Sequence, residues 1–315
     1  MKVLLVGAGN ISEEYLKVLN KLKTDPLIVT RGERKAKILM KKYPDSDVIS
    51  GGINKYLKKN NPPKYAIVAT DIDNLLIITK NLIKSGTRNI LVEKPLAFTL
   101  TELDKLIRLA KNRSCRVFLG LNRRNYKSIN IIKNLIKKDG GAISCSFNFT
   151  EIIKNLNINN YSNQVLKYWG IANSIHLIDT AFYLIGYPKE IFSEVYEFSI
   201  KWHESGTIFN GFGITDKDVI FSYHANWNSP GRWGINIMTK NSKFILSPLE
   251  NIKIQNHGSF NIHNVEFDDG IDLDYKPGFF TQTKNFLKHK HNELCSLDDY
   301  LITFNNVAKI FNYEV

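Results

Sequence analysis

Lys2-Val3-Leu4-Leu5-Val6-Gly7-Ala8-Gly9-Asn10-Ile11-Ser12 is the stretch that decides the fold. Its opening residues are apolar without alternation, which predicts a strand buried on both faces, as in a parallel sheet. The strand runs into G-x-G-x-x-S, the dinucleotide fingerprint with a small serine in its third place. Glycine is needed there because the turn is tight and the backbone must come close to a pyrophosphate. Ile11, Tyr15, Leu16, Leu19 and Leu22 then recur at helical spacing over residues 11–23. The helix so opened would aim free N–H groups and the positive end of its dipole at a bound anion. A plain strand-to-helix turn that binds nothing is the alternative; position between a strand and a helix favours nucleotide binding. Gly7, Gly9, Asn10 and Ile11 are therefore candidate cofactor contacts.

The same alternation continues outward. Leu27-Ile28-Val29, Tyr65 to Ala69, Asn89 to Glu93 and Arg116 to Leu119 read as buried strands. Helices are predicted over 35–42 and 74–84, and after Thr99, which forms a capping box with Glu102. This is the pattern of a doubly wound parallel sheet, a Rossmann domain assigned to residues 1–121. From 122 to 315 the pattern changes. Helices at 128–138, 174–185, 279–289 and 297–313 bracket a half-buried strand at 142–150 and aromatic-rich strands between 190 and 267. An α+β domain with an open, mostly antiparallel sheet is expected for this second part.

Composition narrows the function classes. Of 315 residues, 43% are hydrophobic and 23% charged, as in ordinary globular proteins. No apolar run reaches the roughly 18 residues that span a bilayer, and the short apolar start is ended by Gly7, Gly9 and Asn10. A membrane role is not expected, and a cytoplasmic setting is. Three scattered cysteines suit a reducing compartment and give no disulfide framework or metal site. The net charge of +13 raises the question of nucleic acid. However, the lysines come in dispersed pairs among Asn and Ile, not in one track, so no nucleic-acid partner is expected.

Two further places carry chemistry. At the end of the second strand, where an acidic residue would accept from a ribose hydroxyl, the chain has Thr30-Arg31-Gly32. A hydroxyl and a guanidinium suit a 2′-phosphate, which favours NADP over NAD; Arg31 stacking on adenine or facing water are the alternatives. Lys94, in Glu93-Lys94-Pro95, sits just past a strand end, where ligands of open parallel sheets lie. A positively charged ring beside it would disfavour the ammonium form and suit the side chain to exchange a proton with a hydroxyl. A solvated loop lysine is the competing reading.

The Gly7-x-Gly9 turn, Ala69-Thr70, Glu93-Lys94-Pro95, Asn122-Arg123-Arg124 and the helix opening Asn173-Ser174-Ile175-His176-Leu177-Ile178-Asp179 occur in an order that resembles the Gfo/Idh/MocA (glucose–fructose oxidoreductase/inositol dehydrogenase) family. The resemblance implies NAD(P)-dependent oxidation or reduction of a sugar or sugar derivative, with Ala69, Thr70, Glu93, Lys94 and Asn122 beside the cofactor. It implies Lys94 as acid/base, with a cis bond to Pro95, and His176 as the active-site histidine. The first turn of a helix would favour a neutral imidazole at His176. Asp179, one turn on, would orient it or face solvent.

Arg123, Arg124, Tyr168, Trp169, Asn173 and Arg232 join Lys94, His176 and Asp179 as candidate substrate contacts. Aromatic faces with Asn and Arg at their edges suit a carbohydrate or a phosphorylated one, with a sugar nucleotide or a sugar acid as the expected kinds; they suit a sheet core equally. Family resemblance also implies a homodimer or homotetramer. Two departures stand out: Ala172 occupies the position of a family aspartate four residues before the histidine, and Asp71-Ile72-Asp73-Asn74-Leu75 replaces a segment that carries a histidine in many members. A non-catalytic, dinucleotide-binding regulator of the same fold is the alternative function.

Overall fold

A computed structural model describes all residues, 1–315. Two compact units are present: Met1–Leu121 with Ile271–Tyr300, and Asn122–Gly270 with Leu301–Val315. In chain order, the first unit begins with β1 (Lys2–Val6), α1 (Asn10–Lys21), β2 (Asp25–Val29), α2 (Glu33–Lys42), β3 (Asp47–Ile49), α3 (Gly52–Leu57) and β4 (Tyr65–Val68). It continues with α4 (Leu75–Lys84), β5 (Asn89–Val92), α5 (Leu100–Asn112) and β6 (Arg116–Leu119). The predicted elements are there; β3 and α3 were not foreseen, being too short to show a period.

The second unit holds α6 (Lys127–Lys138), β7 (Ser144–Phe149), α7 (Asn163–Lys167) and α8 (Ile175–Ile185). Next come β8 (Pro188–Tyr196), β9 (Ile208–Thr215), β10 (Ile220–Asn226), β11 (Trp233–Met238), β12 (Ser242–Leu246), β13 (Lys253–Asn256) and β14 (Ile262–Asn264). The chain then returns through α9 (Gly270–Asp274), α10 (Phe279–Leu287) and β15 (Cys295–Ser296) to α11 (Leu297–Phe311).

In the first unit the sheet order is β15-β6-β5-β4-β1-β2-β3. All neighbours are parallel except β15, which pairs antiparallel with β6. Val6 stands opposite both Val29 and Val68, and Val68 opposite Val92, so the carboxyl ends of β2, β1, β4 and β5 are level. Amide bonds carry that alignment one residue further: Gly7 donates to Val29, Ala69 to Val6 and Glu93 to Val68. Leu4, Ile67, Val68, Leu91 and Val92 are fully buried, as two-faced cover by helices requires.

The second part of the chain does not form a unit from 122 to the end, as its change of pattern had suggested. Residues 271–300 belong to the first unit. Phe279 packs on Tyr15 with ring centroids 4.7 Å apart, Phe286 packs on Tyr65, and the Gln282 amide donates to the Tyr15 hydroxyl at 3.0 Å. α10 is thus a helix of the first unit, and its apolar face alone could not reveal which sheet it covers.

An eight-stranded sheet ordered β14-β13-β12-β11-β7-β10-β9-β8 forms the second unit, antiparallel except for the β7–β10 pair. One face is covered: Phe182 of α8 meets Phe147 and Phe221 edge-on, at 5.6 and 5.2 Å. On the opposite face Phe192 and Phe212 stack at 5.2 Å and are 57% and 60% exposed. No helix in either unit is long and apolar enough to cross a membrane.

Candidate active site

The level strand ends of the first unit surround a cleft of about 820 Å³. Its lining includes Gly7, Gly9, Asn10, Ile11, Thr30, Arg31, Ala69 and Thr70, eight of the residues expected at the cofactor. Gly7 has φ +133°, and a Cβ there would lie 2.2 Å from the Ala69 carbonyl oxygen. Close packing of the turn against β4 therefore requires glycine. The Ser12 hydroxyl donates to that same carbonyl at 2.8 Å, which explains a small residue in the fingerprint's third place.

Gly9 differs in kind. It is the N-cap of α1, no side chain caps the helix, and a Cβ there would meet no protein atom within 4 Å. The α1 amides are thus left facing an open cradle that a side chain would fill. Glu13, the acid in that first turn, is held away by Lys42 at 2.6 Å. This arrangement fits the pyrophosphate of a dinucleotide.

Around the end of β2 the lining adds Arg34 and Lys35, two cations that the sequence reading missed although they open the helix after Arg31. Thr30 is buried, and its hydroxyl donates to the Gly32 carbonyl at 3.0 Å. Its proton is therefore used within the turn, not offered to a phosphate. Arg31 is exposed and lies 3.5 Å from Asp71.

Glu93, Lys94 and Asn122, also expected at the cofactor, do not line this cleft. Glu93 is a half-buried anchor: its carboxylate accepts from the Tyr15 hydroxyl at 2.6 Å, and desolvation pushes its pKa up. Gly120 leaves room for it, since a Cβ there would lie 2.8 Å from Glu93 Oε1. Lys94 is half-buried, lies two residues past the end of β5 and makes a cis bond to Pro95, as the resemblance implied. Asn122 is buried in the turn Asn122–Asn125 of the second unit.

In the second unit, His176 is the second residue of α8 and is buried. The expected free helix start is not there. A π-turn over Gly170–Ser174 runs straight into α8, with Ser174 already helical, so the helix dipole has no open end at His176. Asp179 neither orients this ring nor faces solvent: it is fully buried against Arg124. Arg124 Nε donates to Oδ2 at 2.7 Å and Nη2 to Oδ1 at 2.5 Å, so these two expected substrate residues hold each other. Tyr168 is also buried, its hydroxyl donating to the Glu314 carbonyl at 3.1 Å.

Three other expected substrate residues do come together. Trp169, Asn173 and Arg232 line a cavity of about 370 Å³ with Trp233, Asn155 and Glu151. Arg123 stacks over Trp233 at 4.8 Å. Glu151, which no motif marked, accepts from the Asn173 amide at 2.8 Å and from the Ser174 hydroxyl at 2.6 Å. The Trp169 indole N–H is buried without a protein acceptor. No cluster of His, Cys, Asp or Glu in the chain could hold a metal ion, and Cys115, Cys145 and Cys295 are free and buried.

A level parallel sheet with a glycine turn at an uncapped helix is the arrangement of a Rossmann-type dinucleotide-binding unit. Residues 1–121 match the Gfo/Idh/MocA family model, described as an oxidoreductase family with an NAD-binding Rossmann fold, the family that the motifs of this part of the chain resemble. Solved structures share the fold over 99% of the chain. One is a Gfo/Idh/MocA family oxidoreductase from Vibrio cholerae, with TM-score 0.79, 15% identity and 97% of that chain covered. Another is an oxidoreductase from Agrobacterium radiobacter in complex with NAD+, L-tartaric acid and magnesium, with TM-score 0.80, 12% identity and 95% covered. A third is UDP-N-acetylglucosamine 3-dehydrogenase GnnA from Acidithiobacillus ferrooxidans, with TM-score 0.74, 10% identity and 97% covered. No curated protein matches the sequence.

Proposed function

We propose that this chain is an NAD(P)-dependent oxidoreductase that interconverts a hydroxyl and a carbonyl on a sugar or sugar derivative, with NADP preferred. The observation that carries the reading is the uncapped start of α1 at Gly9, within a cleft whose β2 side presents Arg31, Arg34 and Lys35. A nicotinamide cofactor held there would supply the chemistry of hydride donation or acceptance. The chain's own part is to seat the pyrophosphate on the α1 amides and to meet the adenosine half with cations. Lys94 takes the hydroxyl proton in oxidation and returns it in reduction, and His176 assists by hydrogen bonding to the reacting hydroxyl.

The cavity beside Trp169 and Trp233 supports a carbohydrate: indole faces pack on a sugar ring, Glu151 accepts from its hydroxyls, and Arg232 suits an anionic substituent. GnnA, a sugar-nucleotide dehydrogenase by name, shares the fold. The exposed Phe192–Phe212 pair on the open sheet supports a homo-oligomer, which Phe192→Glu would dissociate in sedimentation runs if that face is the contact. Free buried thiols accord with a cytoplasmic setting.

Cofactor titration by fluorescence, followed by a sugar panel read at the nicotinamide absorbance, tests the reading. Lys94→Ala should cut turnover by about a hundredfold or more while cofactor affinity holds. Undiminished turnover in that variant would remove Lys94 from the mechanism. Tight cofactor binding with no sugar turned over would favour the regulator.

A further inference from the structure

Arg31 and Asp71 come from the turns on either side of the glycine turn. Arg31 follows β2, Asp71 follows β4, and β1 lies between those strands. Two strand spacings, roughly 10 Å, separate β2 from β4. Arg31 Nη2 nevertheless reaches within 3.5 Å of Asp71 Oδ2, with the two side chains 82% and 71% exposed. The pair therefore bridges the cleft over the end of β1. Among the residues lining that cleft, Arg31, Arg34 and Lys35 are the cations and Asp71 is the sole carboxylate.

The geometry points to Asp71 as the residue that sets how strongly the cleft discriminates between adenine nucleotides with and without a 2′-phosphate. This rests on the nucleotide reading above and adds a specificity determinant to it. The Thr30 hydroxyl proton is committed to the Gly32 carbonyl, so the positively charged donors of Arg31, Arg34 and Lys35 carry the attraction for a phosphate. Arg31, the one that spans the cleft, is shared with Asp71. A 2′-phosphate competes with the Asp71 carboxylate for the same planar fork and, as the more highly charged acceptor, takes it over. A 2′-hydroxyl offers no such exchange; it leaves the Arg31–Asp71 bridge intact and can itself donate to the carboxylate. Asp71 thus weakens phosphate binding twice, by holding the guanidinium and by repelling the anion, while it supports a nucleotide with a free hydroxyl.

Calorimetric titration of the full chain at low ionic strength with 2′,5′-ADP and with 5′-AMP isolates this effect, because the probes differ only in the 2′-phosphate. Asp71→Asn should raise the affinity for 2′,5′-ADP about two- to fivefold, the range set by an exposed ion pair, and leave 5′-AMP unchanged or weaker. Arg31→Ala should lower 2′,5′-ADP affinity about tenfold or more, and Asp71→Asn added to it should gain less than it does with Arg31 present, since only the repulsion is then relieved. Both side chains are exposed, so folding is not at issue; thermal melting of each variant verifies it.

If both probes bind and their affinity ratio is the same in wild type and Asp71→Asn, the inference is overturned while the nucleotide reading stands. If wild type shows no preference for 2′,5′-ADP but Asp71→Asn creates one, the NADP preference falls and the role of Asp71 is supported. If neither probe binds any variant, the nucleotide reading itself has failed and the inference with it.

Discussion

Arg124 and Asp179 face each other through two near-parallel hydrogen bonds in the second unit, with side chains 3% and 1% exposed. Thr303 donates a third hydrogen bond to Asp179, and Arg124 also reaches the Tyr187 hydroxyl at 3.0 Å and lies over the Tyr183 ring. The turn before α6, the middle of α8 and the middle of α11 are thereby tied at one point. A buried pair of this kind is costly to break because the remaining charge has no water to return to.

Asp179→Asn or Arg124→Ala should therefore lower unfolding stability by about 3–5 kcal/mol, read as a fall in the urea midpoint. Replacing both residues with apolar ones of similar volume should recover part of the loss. A substrate role for these residues predicts the opposite signature, a raised KM at unchanged stability.

How far the sequence led depends on how local each constraint is. The strand, turn and helix from Lys2 to Lys21 lie within twenty residues, and their pattern is complete in the chain itself. The capping box is legible for the same reason: the Glu102 amide donates to Thr99 Oγ1 at 3.2 Å, although the Glu102 carboxylate reaches the Phe98 amide instead of that of Thr99. Errors arose where a partner is distant. Asp179 finds its cation 55 residues away, and Glu93 finds Tyr15 78 residues away, with Gln282 beyond. Helical spacing gives the face on which a residue lies, not what covers that face. The π-turn at Gly170–Ser174 left no periodic mark either, because its backbone differs from an α-helix by one hydrogen-bond step.

Gly7 and Gly9 should separate stability from binding. Gly7→Ala drives a Cβ into the Ala69 carbonyl at a φ that L residues avoid, so a loss of about 2 kcal/mol or more in stability is expected. Gly9→Ala meets no protein atom and has an ordinary φ of −94°, so its stability should stay within about 0.5 kcal/mol of wild type. Its nucleotide affinity should nevertheless fall by about tenfold or more, since the methyl group occupies the approach to the α1 amides. Thermal melting and fluorescence titration read the two effects independently. Equal nucleotide affinity in Gly9→Ala and wild type would count against a pyrophosphate at α1.

His203 should impose a pH dependence on the second unit. Its Nδ1 lies 2.8 Å from the Gly206 carbonyl, which can only accept, so the ring proton is on Nδ1. Nε2 then accepts from the Tyr313 hydroxyl at 2.7 Å, and that hydroxyl oxygen accepts from the Gly170 amide at 2.8 Å. A neutral ring thus secures the C-terminal segment to the π-turn that leads into α8. Burial pushes the His203 pKa down to about 4. In the unfolded chain the same ring titrates near 6.5, so between those values unfolding takes up a proton and becomes easier as pH falls. The contribution is complete above about pH 6.5 and is lost progressively down to about pH 4, amounting to about 3 kcal/mol overall and about 1.4 kcal/mol by pH 5.5. Urea midpoints at pH 7.5, 5.5 and 4.5, compared between wild type and His203→Gln, isolate this term from the carboxylates. The wild-type curve should fall more steeply with acid than that of the variant, and parallel curves would show that His203 is not held neutral.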